Sequence, residues 1–384
     1  MIRTGGQPPR RPRVVFVGNS LRVGGSQAVT LELVRAAIDA GFEAVVASRG
    51  GEMAPVFAAA GALTVTLIIR EGVAAEEAAR ITSMAKTAVS SAAVVQLAGL
   101  CARQRTLLHA SQPWPVAIAS YAARLTRTPL VWHAHGTTDV EMPASRMGSV
   151  RTASKAWVGI TPEVRRALGA LNPASHTRVL AIPSPVRRPS TTERASAKCQ
   201  DGRLVIGVMS TLTTNKRRYV ECCLMAAREL ARSGARTKVR IVGDGPERRV
   251  LEHAVSRMSA DCPTLSVEFC GSSLDPWPQL AECDLIVGMG LVALEAAVRG
   301  HNVLCASSDG IGGRLSVASY PKLFETNFTG RSIEPLSVEA LVRALIDSIA
   351  TGPDLRLGPF VMTRHGDEAI DQWISLWNAV LWHQ

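Results

Sequence analysis

Short apolar runs alternate along the chain with longer stretches in which apolar positions return every three or four residues. Buried strands followed by covering helices produce that rhythm. The first run, residues 13–18 (RVVFVG), reads as a strand. A glycine loop at 19–27, a helix at 28–40 stopped by Gly41 and a strand at 43–48 follow. Further strands are expected at 63–69, 106–110, 130–133, 155–160 and 177–182. Helices are expected at 52–60, 116–125, 162–168 and 74–105, the last open to a break near Ser90-Ser91. Residues 186–202 (VRRPSTTERASAKCQDG) have the Pro, Ser, Thr and charge content of a linker. Beyond them the rhythm restarts, with strands at 204–209, 238–242, 265–269, 284–287 and 302–306. The matching helices are expected at 218–232, 247–258, 277–281 and 291–299, with a loop at 307–313. An amphipathic helix at 367–382 carries Trp373, Trp377 and Trp382. The expected fold class is α/β: two Rossmann-like domains, 13–185 and 203–366, after a disordered tail at 1–12. Ligands in such sheets lie outside the carboxyl ends of the strands. Two facing domains would place them in a cleft.

One stretch, 284–300 (DLIVGMGLVALEAAVRG), organises the rest. Strand, glycine turn and helix start make an anion site, because free backbone N–H groups and the helix dipole converge there. Glu295, on the second turn, would repel phosphate but could accept hydrogen bonds from ribose or sugar hydroxyls. The plainer reading is a buried βα unit with Glu295 at its surface. Pattern alone does not separate the two.

Composition narrows the classes. Aromatic residues are only 4% of the 384, so aliphatic strands and Ala-rich helices must supply the core. No apolar run approaches the roughly 20 residues of a membrane-spanning helix. The eight cysteines form no C-x-x-C pair, which argues against zinc and thioredoxin chemistry and for reduced thiols in a cytoplasmic protein. Net charge is +11, unevenly spread. Residues 1–200 hold 24 Lys/Arg against 11 Asp/Glu, and residues 201–384 hold 19 against 21. The basic half suits an anionic membrane surface or a lipid-linked acceptor, with Arg10, Arg11, Arg13, Arg103, Arg105, Arg124 and Arg127 as candidates. A basic surface without a partner fits as well. Little aromatic interleaving makes nucleic acid the weaker partner. The loop after the first strand lacks G-x-G-x-x-G, which disfavours a nicotinamide dehydrogenase.

Several segments, in order, resemble GT-B glycosyltransferases, and among them the retaining, family 4-like group that uses nucleotide-diphosphate sugars. RVVFVGNSLRVGGSQ is similar to that group's first strand and Gly-Gly loop. LLHASQPWP and LVWHAHG resemble two of its strand ends, and WVGITPEVRRAL with VLAIPSPV its crossing to the second domain. GVMSTLTTNKRR resembles the segment with its basic pair, VRIVGDGPER its Gly-Asp-Gly-Pro turn, and GLVALEAAVRGHNVLCASSDG its donor-site helix. The resemblance implies roles for individual residues. Lys216 would neutralise the donor diphosphate, with Arg217 or Arg218 in support, and the backbone of Gly290, Leu291 and Val292 would bind it. Glu295 would hold the ribose, and Gly243 and Gly245 would line the nucleotide pocket. Gly24 and Gly25 would close over diphosphate or acceptor, and His135 would sit near the transferring sugar. The last helix, 367–384, would return to the first domain.

Two departures bear on activity. The group commonly has two glutamates with seven residues between them; here Val287 holds the first place. The group's arginine, expected near Ser210-Thr211, is missing. The expected reaction is transfer of a hexosyl group from a nucleotide-diphosphate sugar to a hydroxyl acceptor, in cell-surface polysaccharide or glycolipid synthesis. No metal and no cofactor are expected, because a lysine and oriented amides can stabilise the departing diphosphate. A peripheral place on the inner membrane face is the expected extension of a cytoplasmic location. A sugar-nucleotide epimerase on the same fold, and an inactive nucleotide-sugar-binding subunit, remain alternatives. His133 and His135 share one strand face and could ligate metal, but no third ligand stands near in sequence. Trp114 fits sugar stacking or core filling, and Trp373 with Trp377 fits packing onto a domain face.

Overall fold

The computed structural model describes residues 11–68, 83–102, 104–142, 144–190 and 202–382. The expected tail up to residue 10, the helix portion 74–82, Arg10 and Arg103 lie outside them, as does linker segment 191–201. The chain divides into two compact units. One holds the described residues up to Arg22, Ser26–Pro183 and Ile370 onward; the other holds Val23–Gly25 and Ser184–Ala369.

Seven parallel strands form the sheet of the first unit. They are β1 (Arg13–Val17), β2 (Glu43–Ser48), β3 (Leu63–Thr66), β4 (Thr106–Ser111), β5 (Leu130–Ala134), β6 (Ser154–Gly159) and β7 (Arg178–Ala181). Their order, β3-β2-β1-β4-β5-β6-β7, reverses between β1 and β4, the switch point at which such sheets open a crevice. The connecting helices are α1 (Gly25–Asp39), α2 (Ala54–Ala59), α3 (Ser83–Cys101), α4 (Pro113–Thr126), α5 (Ala144–Ala153) and α6 (Pro162–Gly169). Alternation assigns the faces. Val15, Val17, Leu108, Ala110, Trp132 and Ala134 share one core cluster with helices α3 to α6. Phe16, His109 and His133, at the intervening positions, look the other way.

The sheet of the second unit comprises β8 (Leu204–Met209), β9 (Thr237–Val242), β10 (Leu265–Gly271), β11 (Leu285–Gly288), β12 (Val303–Ser307) and β13 (Gly310–Arg314). Its order is β10-β9-β8-β11-β12-β13, parallel except for the β12–β13 pair. Helices α7 (Thr214–Arg232), α8 (Arg248–Ala260), α9 (Trp277–Leu280), α10 (Leu291–Val298), α11 (Tyr320–Glu325), α12 (Val338–Thr351) and α13 (Leu357–Val361) cover it. Leu285, Val287, Leu304 and Ala306 point into one core, and Ile286, Val303 and Cys305 into another. Each of the valines, leucines and isoleucines among them, fully buried, contributes about 1.5–3 kcal/mol. The second unit's entering and leaving segments are tied together through His365. Its Nδ1–H donates to Ser184 O at 2.8 Å, and the Tyr320 hydroxyl donates to its Nε2 at 2.6 Å. A π-helical stretch, Met362–Asp367, then leads into α14 (Glu368–Trp382).

Four local expectations need correction. Helix α7 starts at Thr214, not 218, because Thr213 O accepts from the N–H groups of both Lys216 and Arg217. The loop expected at 307–313 contains strand β13, hidden by its glycines; a Cβ on Gly310 or Gly312 would meet neighbouring atoms at 2.6 and 2.4 Å. Helices α5, α11, α12 and α13 were not expected; in α5, ASRMGSVRTA has little amphipathic contrast although Met147 and Val150 are buried. Helix α3 runs through Ser90-Ser91 without a break.

Candidate functional site

In the second unit, neighbouring strands β8 and β11 both end at helix starts. Strand β11 ends at Gly288, and Met289-Gly290 turns the chain into α10. Gly290 has φ 55° and ψ −130°, which favours glycine, and a Cβ on Gly288 would lie 2.6 Å from Val292 Cγ1. The turn thus requires both glycines. Gly290 N–H is used by Asn327 O at 3.0 Å. The N–H groups of Leu291, Val292 and Ala293 follow it and by helix geometry have no intrahelical partner. They present the positive end of the dipole.

Lys216 lies in the first turn of α7, half-buried, and its Nζ donates to Thr211 Oγ1 at 3.1 Å. Burial lowers its pKa from the usual lysine value. No carboxylate pairs with it among the described residues. Three residues on, the Tyr219 hydroxyl donates to Val287 O at 3.0 Å and pins this face of α7 to β11. Arg217 is engaged elsewhere, donating to Glu221 at 2.7 Å and contacting Glu247 at 3.5 Å. Arg218 donates to Leu336 O at 3.4 Å. Lys216 is therefore the member of the basic run not bound to a protein carboxylate or carbonyl.

Glu295 is half-buried, and its Oε2 accepts from the Trp277 indole at 2.9 Å. Arg299 Nη1 donates to Glu295 O at 2.9 Å, and its guanidinium lies 4.2 Å from the Trp277 ring centroid. Val287, at the first glutamate position, is 1% exposed and belongs to the core; a carboxylate there would need burial without a partner. Gly243 and Gly245 have φ of 137° and 159°. Cβ atoms on them would meet Ser210 O at 1.9 Å and Leu212 O at 2.3 Å. Close backbone packing at the carboxyl ends of β8 and β9 thus accounts for both glycines without a ligand.

Gly24, in the turn before α1, and Gly25, the first residue of that helix, are grouped with the second unit. His135 follows β5, and its backbone N–H donates to Asp139 Oδ2 at 2.8 Å. Its ring lies 4.2 Å from that of His133. The Trp377 indole donates to His109 Nδ1 at 3.2 Å. Neutral His109 then carries its proton on Nε2, which lies 3.1 Å from His133 Nδ1 and donates to it. Burial weakens all three bases: His109 falls to about 3, His133 falls well below its ordinary value, and His135 is lowered although Asp139 opposes the shift. Trp373 and Trp377 are fully buried against this stack. Trp114 packs at the edge of the core, 5.4 Å from Arg49.

Two candidates for a membrane face are occupied. Arg13 pairs with Glu43 at 2.7 Å, and Arg105 lies 3.9 Å over the Trp382 ring. No helix among the described residues is long and apolar enough to cross a membrane. Motif reading missed His109, Trp277 and Tyr219.

Two parallel-rich α/β sheets with these helices define a GT-B glycosyltransferase fold. Residues 23–187 match the model of Glycosyltransferase Family 4. Anabaena HepE, solved in complex with UDP and glucose, superposes with a TM-score of 0.69 at 15% identity over 96% of this chain and 100% of that one. A glycosyltransferase from Rickettsia africae gives 0.70 at 13% identity over 98% and 100%. The lipopolysaccharide outer core galactosyltransferase WaaB gives 0.64 at 13% over 97% and 99%. No curated protein matches the chain. The family match supports a transferase that moves sugar.

Proposed function

We propose that the protein transfers a hexosyl group from a nucleotide-diphosphate sugar to a hydroxyl acceptor, with the donor held in the second unit. The observation that carries this reading is the pairing of α10's glycine-built start with Lys216, half-buried and unmatched by any described carboxylate. Oriented amides and one positive charge meet the main need of the reaction, stabilising the diphosphate as the sugar bond breaks. Glu295, one turn along α10, receives the ribose. That HepE binds UDP and UDP-glucose makes uridine diphosphate the first donor nucleotide to test. Retention follows if the acceptor attacks on the leaving-group face and the phosphate takes its proton, so no separate carboxylate base is required. The resemblance assigns His135 a hydrogen-bonding role toward the sugar. The roles of Gly24, Gly25, Gly243 and Gly245 are to shape the backbone around donor and acceptor.

Val287 favours a second reading, a subunit that binds nucleotide-sugar without turning it over, because a core valine removes one acceptor for sugar hydroxyls. Incubation with uridine diphosphate–glucose and other nucleotide-sugars separates the two. Release of nucleoside diphosphate supports the transferase, and tight binding without release supports the subunit. The acceptor in this proposal is lipid-linked, on the inner face of an anionic membrane. Cosedimentation with anionic vesicles that weakens with salt is expected, and a protein that stays in the supernatant at low salt points to a soluble acceptor.

A further inference from the structure

We propose that Trp277 is a positioning residue that fixes the Glu295 carboxylate for ribose, so that the site selects ribonucleoside over dideoxyribonucleoside diphosphates. The inference rests on the donor reading above. A glutamate on a helix surface has several rotatable bonds, and ordering it when ligand arrives costs up to about 2 kcal/mol. Here that freedom is removed beforehand. The indole N–H holds Oε2 at 2.9 Å, and the indole cannot swing away, because Trp277 is 2% exposed. Its ring has the Arg299 guanidinium 4.2 Å from its centroid and the His301 ring 6.1 Å away. Arg299, also 2% exposed, is anchored by its bond to Glu295 O. Its buried positive charge, eased by the ring face, favours the ionised carboxylate.

The arrangement sets the carboxylate relative to the start of α10. Four residues separate Leu291 from Glu295, a rise of about 6 Å along the axis. A diphosphate on the first amides therefore places its ribose one turn along, where the carboxylate stands. A carboxylate has about four lone-pair sites, enough to accept from the indole and from hydroxyls at the same time. Bonds of that kind, to a charged group, are the stronger ones.

The test compares wild type with Trp277→Phe, which keeps an aromatic ring and removes the N–H. Calorimetry is run with uridine diphosphate and its 2′,3′-dideoxy analogue, or with the adenosine or guanosine pair if that base binds better. Wild type should prefer the ribose form by at least about tenfold. Trp277→Phe should reduce that preference to about threefold or less while binding the dideoxy form nearly as wild type does. An unchanged preference overturns the proposal. An equal loss for both ligands also overturns it, because it shows a merely structural role. Wild type that binds no nucleoside diphosphate refutes the donor reading itself. If Trp277→Phe does not fold, the Trp277 indole proton resonance, identified by its shift in Glu295→Gln, decides. It should move when ribose ligand is added and stay with the dideoxy ligand; equal behaviour with both contradicts the proposal.

Discussion

The two units treat their polar side chains in opposite ways. In the first, His109 and His133 lie against Trp373 and Trp377, the His135 ring lies beside that of His133, and burial lowers the pKa of all three. Their hydrogen bonds run in one direction, from Trp377 through His109 to His133, which neutral rings alone can sustain. In the second, Lys216 lies in the first turn of α7, Glu295 lies on α10 and Arg299 caps its far end, and the lysine and glutamate remain half-exposed. A buried neutral network specifies how α14 docks, whereas charge kept near water is available to a ligand. The contrast teaches where each kind of substitution should register: stability in the first unit, binding and turnover in the second.

The sharpest separation should come from Lys216→Ala. Turnover is expected to fall about 10²- to 10³-fold, the usual loss when one donor to a developing anion is removed. Its melting temperature should barely change. His109→Phe, assayed beside it, should show the reverse, and an equal loss of turnover in both would erase the distinction.

The second unit also has a position where stability should dominate. Gly243→Ala places a Cβ 1.9 Å from Ser210 O at a φ of 137°. A loss of about 3 kcal/mol or more is expected in denaturant unfolding. A stable variant would mean that the 210–212 segment yields easily.

Acid should act on both units, through the histidine stack of the first and through buried His301 and His365 of the second, each held down to about 4. Folding lowers the pKa of each histidine in the stack, so the unfolded chain takes protons first as pH falls below about 6.5. Stability is therefore full above that pH and declines below it, until folded His109 is itself protonated at about 3. Each histidine contributes a slope of about 1.4 kcal/mol per pH unit within the window. Denaturant midpoints from pH 7 to 4.5 should fall less steeply in His109→Phe than in wild type. Parallel curves would show that His109 already titrates normally. A smaller effect is expected from Trp377→Phe, which leaves buried His109 Nδ1 without its donor and opens space in the core, and should cost about 1–3 kcal/mol in the same measurement.

Much of this contrast was legible in the sequence. The strand rhythm and the glycine turn at 288–290 gave the architecture and the helix start, because both depend on local pattern. The N-terminus of α7 was misplaced because Thr213 and Thr214 read as loop until their backbone bonds are seen. Strand β13 was hidden because glycine lowers strand character, although close packing demands it there. The side-chain partners were illegible for a different reason. Trp277 is 18 residues from Glu295, and His109 is 268 residues from Trp377, so tertiary contact alone joins them. The resemblance drew Arg217 into the site, yet its ion pairs with Glu221 and Glu247 depend on spacing along α7 and on the turn before α8.

The central claim is that the glycine-built start of α10 and Lys216 together hold a nucleoside diphosphate. Calorimetric titration of wild type and Lys216→Ala with uridine, adenosine and guanosine diphosphates tests it most directly. The account predicts that wild type binds at least one of them and that Lys216→Ala binds it at least about tenfold more weakly, a difference of about 1.4 kcal/mol. Equal affinity in the two proteins, or no binding by wild type, would contradict it.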